Sequence, residues 1–467
     1  MRTLLAWVAI ATLAGCALGP DYARPVVDLP AGYPAAEPDG PAALRPGRQW
    51  WTLYGDAKLD ELVATALERN PDVALAVARI EETNAQLREA GAAFLPEIDA
   101  GLSASRSRLS AATAFPNPSP LVRNDVKLQL TTAFELDFWG KLRRAREAAR
   151  AQVLGSGYAR EVVALSLESL VAQSYFTLRS LDAQIVLASR TLQSRQDSLD
   201  VVNARRNGGL ASDLESNQAA TALADASLQL RDLFGQRDLA EHQLALLAGQ
   251  PGLRLVPEPG GAMPPALPQL PAAGLPSSLL ERRPDVQQAE QALVAANAQV
   301  GIARAAYFPT VTLIAGDGGE STALARVMGG AARIWSVGPG VAMPLLEWER
   351  TSARVSGAQA RRDQAMAGYR KSVETAFREV ADALTAVRTA TQAQRDLDGR
   401  SATAHSTLEL ANARYKSGYS AYLEVLDAQR SANDAELAAT RNRLALLNAS
   451  VSLMKAIGGG WRPGGET

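Results

Sequence analysis

The chain has 467 residues, room for two or three ordinary domains, yet only 5% are aromatic while 47% are hydrophobic; Ala and Leu carry the apolar content, which favours long, closely packed helices over thick aromatic cores. Its 48 basic and 49 acidic residues leave a net charge of −1 with no block of like charge, which excludes a nucleic-acid surface. One Cys, two His and six Met exclude disulfides and a dense soft-metal array.

Arg2 supplies a positive start, residues 4–13 an apolar run, and Leu13-Ala14-Gly15-Cys16 closes it with small residues before the single cysteine. Residues 1–15 therefore read as a lipoprotein signal peptide cut before Cys16, whose thiol then carries lipid. A plain secretory signal with a chance cysteine is the other reading. No later window holds 18 consecutive apolar residues, so no transmembrane helix is expected. Residues 16–55 read as an extended arm rich in Pro, Gly and Ala. Asp56 to Arg69 forms a short amphipathic helix with Leu59, Leu62, Val63 and Leu67 on one face. Asn70 caps a further helix over about 71–94, with Pro71 in its first turn and Asp72 near the helix dipole; Pro96 stops it.

Strands are expected at about 97–107 and 125–138, joined by a loop containing Pro116, Pro118 and Pro120. In the second, Val126, Leu128, Leu130, Phe134, Leu136 and Phe138 alternate with Asp125, Lys127, Gln129, Thr131, Glu135 and Asp137. One oily and one charged face suits the wall of a membrane barrel; a strand over a soluble core is the alternative. A proline-free helical stretch over about 141–207 would reach about 100 Å. Gly208-Gly209 breaks it, Ser212 caps a return helix over about 212–248, and Gly249 and Pro251 end that helix. Residues 251–276, dense in Pro and Gly, read as a linker.

The plan then repeats. Pro71-Asp72-Val73, Asn84-Ala85-Gln86 and Ala93-Phe94-Leu95-Pro96 return 213 residues later as Pro284-Asp285-Val286, Asn297-Ala298-Gln299 and Ala306-Tyr307-Phe308-Pro309. Asn203-Ala204-Arg205, Gly209 and Leu214-Glu215 return 209 residues later as Asn412-Ala413-Arg414, Gly418 and Leu423-Glu424. Residues 56–250 and 277–459 are thus expected to be two copies of one unit. The second copy holds helices over about 284–306, 351–416 and 421–457 and strands over about 310–316 and 333–343, before a tail at 460–467. Gly316-Asp317-Gly318-Gly319 reads as a turn at a strand end, since no Lys-Ser/Thr follows to make a phosphate loop. His242 and His405 stand singly in long helices, and no catalytic constellation is visible. No enzyme activity and no cofactor beyond the lipid on Cys16 are expected.

Several longer runs carry a family likeness: Leu18-Gly19-Pro20-Asp21-Tyr22 with Arg24-Pro25, Trp50-Trp51 with Gly55-Asp56, Leu280-Glu281-Arg282-Arg283-Pro284-Asp285, Tyr422-Leu423-Glu424-Val425-Leu426-Asp427-Ala428-Gln429-Arg430, and Lys455-Ala456-Ile457-Gly458-Gly459-Gly460-Trp461. They resemble the TolC-like outer-membrane efflux channels, in the NodT-like lipoprotein branch. The resemblance implies a mainly α fold with a transmembrane β-barrel, a homotrimer closing a twelve-stranded barrel, and an α-helical tunnel in the periplasm. It also implies a periplasmic adaptor and an inner-membrane pump as partners, with outer-membrane lipid around the barrel. A non-spanning periplasmic scaffold lipoprotein is the rival reading.

Leu423, Asp427 and Arg430 share one helical face by their spacing. The resemblance puts them at a periplasmic gate, where a threefold axis would make a greasy constriction and a ring of negative charge, with Arg430 tied to a neighbouring chain. A coiled-coil seam with a surface ion pair is the ordinary alternative. Leu214, Gln218 and Thr221 occupy the corresponding places in the first copy, so the second copy carries the candidate gate. The resemblance makes Gly208, Gly209 and Leu210, with Ser417, Gly418 and Tyr419, the tips on which an adaptor docks; chain reversal explains the glycines equally well.

Overall fold

The computed structural model describes residues 18–30, 32–33, 47–110, 112, 121–257, 267–268, 270 and 279–460. The signal peptide, Cys16, the three loop prolines, most of the 251–276 linker and nearly all of the tail lie outside them. In chain order the elements are α1 (Ala57–Arg69), α2 (Pro71–Ala92), β1 (Glu97–Arg108), β2 (Val122–Leu136), α3 (Lys141–Asn207), α4 (Asp213–Leu247), α5 (Leu279–Arg282), α6 (Pro284–Ala305), β3 (Thr310–Ser321), β4 (Arg333–Ala342), α7 (Trp348–Lys416) and α8 (Tyr422–Ala456). Two compact units emerge, Met1–Val26 with Arg79–Gly157 and Gln288–Arg370, and Val27–Ala78 with Tyr158–Gln287 and Lys371–Thr467. Each draws on both sequence copies.

The first unit holds one antiparallel sheet in the order β1-β2-β3-β4. Its register sorts the side chains. Leu102 faces Leu128, Phe134 faces Leu313, and Val311 faces Val341, so most apolar side chains of the four strands fall on one face, with Ile314 and Ile334 on the other. Ile98, Leu102, Leu130, Leu313, Trp335, Val337 and Val341 on that face are all exposed. The other face carries Asp99, Lys127, Gln129, Thr131, Glu135, Thr312 and Ser336. One charged pair interrupts the apolar face, where Arg333 Nε donates to Asp317 Oδ1 at 3.2 Å.

Three boundaries depart from the sequence reading. Gly316-Asp317-Gly318-Gly319 is not a strand-end turn: β3 continues to Ser321, paired with β2 and β4 on either side. Glycine lowers intrinsic strand preference, but a Cβ at Gly318 would stand 2.2 Å from Leu128 O, so the close backbone approach requires its absence. β2 runs from Val122 to Leu136 and not from 125 to 138, because Arg108 pairs with Val122 at one end while Asp137 leaves the ladder at the other. The Asp137 carboxylate instead accepts from Leu142 N at 3.1 Å and Arg143 N at 3.0 Å, capping α3. α7 starts at Trp348 rather than 351, its ring tilted against Tyr307 at 4.7 Å.

The described start of the N-terminal arm, residues 18–26, lies in this unit too. Leu18 N donates to Trp139 O at 3.0 Å, Asn297 Nδ2 donates to Pro20 O at 2.7 Å, and Arg24 grips both Glu290 carboxylate oxygens at 2.8 and 2.6 Å. A forked, charge-assisted pair of this kind fixes direction as well as contact.

In the second unit Asp56 caps α1 by accepting from Lys58 N and Leu59 N. The buried stripe of α1 is Leu59, Leu62, Val63 and Ala66; Leu67 is only half-buried because Ala66 takes the fourth inward place. Although the chain is poor in aromatics, Trp50, Tyr54, Tyr175 and Phe176 gather here, with Trp50 fully buried and its Nε1 donating to Glu168 Oε2 at 2.9 Å.

One latch is built twice with different residues. Asn70 Oδ1 accepts from Asp72 N at 2.8 Å while its Nδ2 donates to Leu247 O, at the end of α4, at 2.9 Å. At the matching place Arg283 Nη1 donates to Ala456 O, at the end of α8, at 2.9 Å, and the same guanidinium holds Asp285 and Glu379. Both return helices finish in a left-handed glycine, Gly249 at φ +64 and Gly458 at φ +95, pressed on Arg69 O and Arg282 O respectively.

Two predictions follow from these contacts. Arg283→Met removes the carbonyl donor and the charge-assisted bonds to Asp285 and Glu379, so it should cost about 2 kcal/mol against about 1 kcal/mol for Asn70→Ala, read by urea unfolding under circular dichroism. Burial pushes the Glu168 carboxyl up to about 7, with Glu161 adding to the rise and the Trp50 N–H opposing it. A carboxyl raised in the folded state stabilises below its unfolded value and loses that contribution as pH climbs through 7. Glu168→Gln should therefore gain melting temperature over the parent at pH 8 and lose that advantage at pH 4.

Candidate gate and helix-hairpin tips

The two helix hairpins of the second unit turn by the same device. Leu210 N reaches Arg205 O at 2.8 Å and Gly209 N reaches Arg206 O at 2.9 Å; Tyr419 N reaches Arg414 O at 2.9 Å and Gly418 N reaches Tyr415 O at 3.0 Å. Each is a Schellman closure around a left-handed glycine, Gly209 at φ +74 and Gly418 at φ +79, a conformation that a Cβ disfavours. Gly208 is not left-handed, so its role is less demanding. Leu210 and Tyr419 project at 72% and 77% exposure. The return helices differ in their starts: Ser212 accepts from Glu215 N to cap α4, whereas Ala421 offers α8 no side-chain cap.

Behind the tips, Val202, Ala219, Ala222, Tyr415, Tyr422, Val425 and Leu426 form a core shared by α3, α4, α7 and α8. Arg205 lies over the Tyr415 ring at 4.6 Å and donates to Tyr415 O at 3.2 Å. The Tyr415 and Tyr422 hydroxyls are buried without a partner.

Along α8 the faces separate cleanly. Leu423, Asp427 and Arg430 are all exposed on one side, and among the described residues no ion pair within the chain involves Asp427 or Arg430. Asp427 shares a groove with Arg400, Arg414 and Glu424 between α7 and α8. In the other hairpin Leu214 is exposed like Leu423, but Gln218 and Thr221 put no charge where Asp427 and Arg430 stand.

The inward side of α8 holds residues that the sequence did not mark. Gln429 accepts from Arg195 Nη1 and donates to Ser198 Oγ at 3.1 Å, while Asn433 Oδ1 accepts from Thr191 at 3.0 Å. Arg195 is 6% exposed with no carboxylate paired to it, and burial, with Arg430 nearby, holds its guanidinium below the ordinary value. This polar seam belongs to α3 and α8 alone: at the corresponding positions of α7 and α4 stand Ala404 and Ala220. Two polar residues four apart on an inward helical face were the available signal. His405 is not solitary, since its Nε2 meets Glu436 across the α7–α8 hairpin; His242 is exposed. Among the described residues no group of three or more His, Cys, Asp or Glu side chains is placed to hold a metal.

Gln429→Leu strands the buried Arg195 guanidinium and should cost about 2–3 kcal/mol, with Arg195→Met added to it restoring most of the loss. Urea unfolding of the two singles and the double variant measures the coupling.

The family model for the outer membrane efflux protein matches residues 62–250 and 275–459. Outer membrane protein OprJ of Pseudomonas aeruginosa is 34% identical over 459 residues, covering 97% of this chain and 95% of that protein. The toluene efflux pump outer membrane protein TtgF of Pseudomonas putida is 34% identical over 469 residues, covering 96% and 95%. Among solved structures, the outer-membrane channel OprN superposes with a TM-score of 0.90 at 28% identity, covering 96% of this chain and all of that one. The open state of the Neisseria gonorrhoeae MtrE outer membrane channel gives 0.82 at 29% identity, covering 97% and 100%.

Proposed function

The chain belongs to the outer membrane efflux protein family, and from that premise we propose that its second-copy hairpin carries the gate of a passive exit duct. The protein is the outer-membrane channel component of a tripartite bacterial efflux system. The observation that carries this reading is the exposed apolar face continuous over four strands, with a polar face behind it. Such a face is stable against hydrocarbon, and a non-spanning scaffold has no use for it.

A four-stranded sheet in lipid leaves the outer edges of β1 and β4 unpaired, and hydrocarbon penalises such edges by several kcal/mol per group. Three copies joined β4 to β1 make a closed twelve-stranded barrel, which is the assembly we infer. The lipobox supports a lipid on Cys16 and a place in the NodT-like lipoprotein branch; that lipid adds an anchor, while the barrel does the spanning. Two copies of a strand pair and a helical hairpin, residues 56–250 and 277–459 about the 251–276 linker, supply the wall. Energy then comes from an inner-membrane pump. The tips at Gly208, Gly209 and Leu210 and at Ser417, Gly418 and Tyr419 present apolar side chains on tight turns, which suits docking of a periplasmic adaptor.

In the gate, Leu423 narrows the duct, Asp427 rings it with negative charge, and Arg430 reaches the neighbouring copy. Their common exposure, and the lack of any ion pair to Asp427 or Arg430 among the described residues, support this assignment. Asp427→Ala combined with Arg430→Ala should raise single-channel conductance in a planar bilayer at least severalfold. Conductance equal to the parent at every voltage would remove the gate from this helix.

A further inference from the structure

In the first unit, where α6 runs into β3 and α7 leaves β4, an open groove has an apolar floor that includes Ile302 and Phe308 and a wall made by Arg350, Arg354 and Arg361 of α7. Spacings of four and seven residues put the three guanidinium groups on one helical face. Lys141, from the start of α3, also lines it.

The groove opens on the polar side of the sheet. Thr310 lines it and shares the face of Thr312, and Lys141 Nζ reaches Glu135 on that same face at 3.0 Å. In the duct described above this is the water-filled side, and the inference rests on that reading only for this placement.

The charges do not balance locally. Lys141 is answered by Glu135 and Arg350 by Glu347 at 3.2 Å, but among the described residues Arg354 and Arg361 form no ion pair, and both are exposed. The wall itself does not need them, because the equivalent positions 209 residues earlier are Ala145 and Gln152. Two unanswered guanidinium forks about 10 Å apart along the helix, over an apolar floor, complement a ligand with an anionic head and an oily body.

We propose that this groove binds amphiphilic organic anions, their carboxylate or sulfonate on Arg354 and Arg361 and their apolar body on Ile302 and Phe308. The probes are naphthalene-2-sulfonate and its neutral counterpart 2-naphthol, each equilibrated by dialysis against the purified full chain in amphipol. Saturable binding of the sulfonate is expected, weakened roughly tenfold or more in Arg354→Gln with Arg361→Gln, while 2-naphthol binds parent and variant alike. Equal sulfonate binding by both proteins overturns the site, as does displacement by inorganic sulfate at the same concentration, which would reduce it to charge alone. Light scattering runs alongside: loss of the oligomer in the double variant would assign these arginines to a contact between copies and also overturn it. Dialysis needs no current, so absent binding leaves the duct standing, and absent conductance with binding intact sinks the duct and not the site.

Discussion

Antiparallel register is the constraint on which the membrane-facing part of this protein depends. Side chains alternate with a period of two, so a slip of one residue between β2 and β3 would turn Leu128, Leu130 and Phe134 toward the polar side and Lys127, Gln129 and Glu135 toward the oily one. The glycines of β3 allow the ladders to hold, because the Leu128 carbonyl leaves no room for a Cβ at Gly318. The same register sets which side of the sheet the Arg354 and Arg361 groove shares.

Duplication explains the rest of the plan, and the departures from it are informative. Asn70 and Arg283 do one task, holding the last carbonyls of α4 and α8, yet the first is a neutral amide and the second a guanidinium with two carboxylates around it. The second version resists loss of one partner better, since several charge-assisted bonds share the load. Asymmetry is greater near the tips. Arg195, Gln429, Thr191 and Asn433 tie α8 to α3, while Ala404 and Ala220 stand in the mirrored pair. A helix held by directional polar bonds along its inward side presents its outer side in a defined orientation, and on α8 the exposed positions carry Leu423, Asp427 and Arg430.

Much of this was legible in the residues because it is local. Asn70, Ser212, Gly209 and Gly418 act within a turn or two of their own positions, so helix starts and breaks could be assigned without knowing any neighbour. The alternation in β2 was equally readable, since its period is a property of one strand. Gly316 to Gly319 misled for the same reason: as an isolated segment it is a turn, and its strand conformation is imposed by ladders on both sides. His405 looked solitary because Glu436 lies 31 residues away, across a hairpin.

The sequence by itself determined the twofold repeat, the hairpin turns that end the long helices, the oily and polar faces of β2 and the family likeness, all of which follow from short-range stereochemistry or ordered identity. Tertiary structure alone decided that Arg195 would be buried against Gln429, 234 residues away, and that the Arg237 guanidinium would meet Asp182 of a different helix. It alone placed Arg354 and Arg361 over the floor made by Ile302 and Phe308. Whether a charge is answered, stranded or left facing a groove depends on which distant elements reach it, and periodicity along one helix carries no record of that.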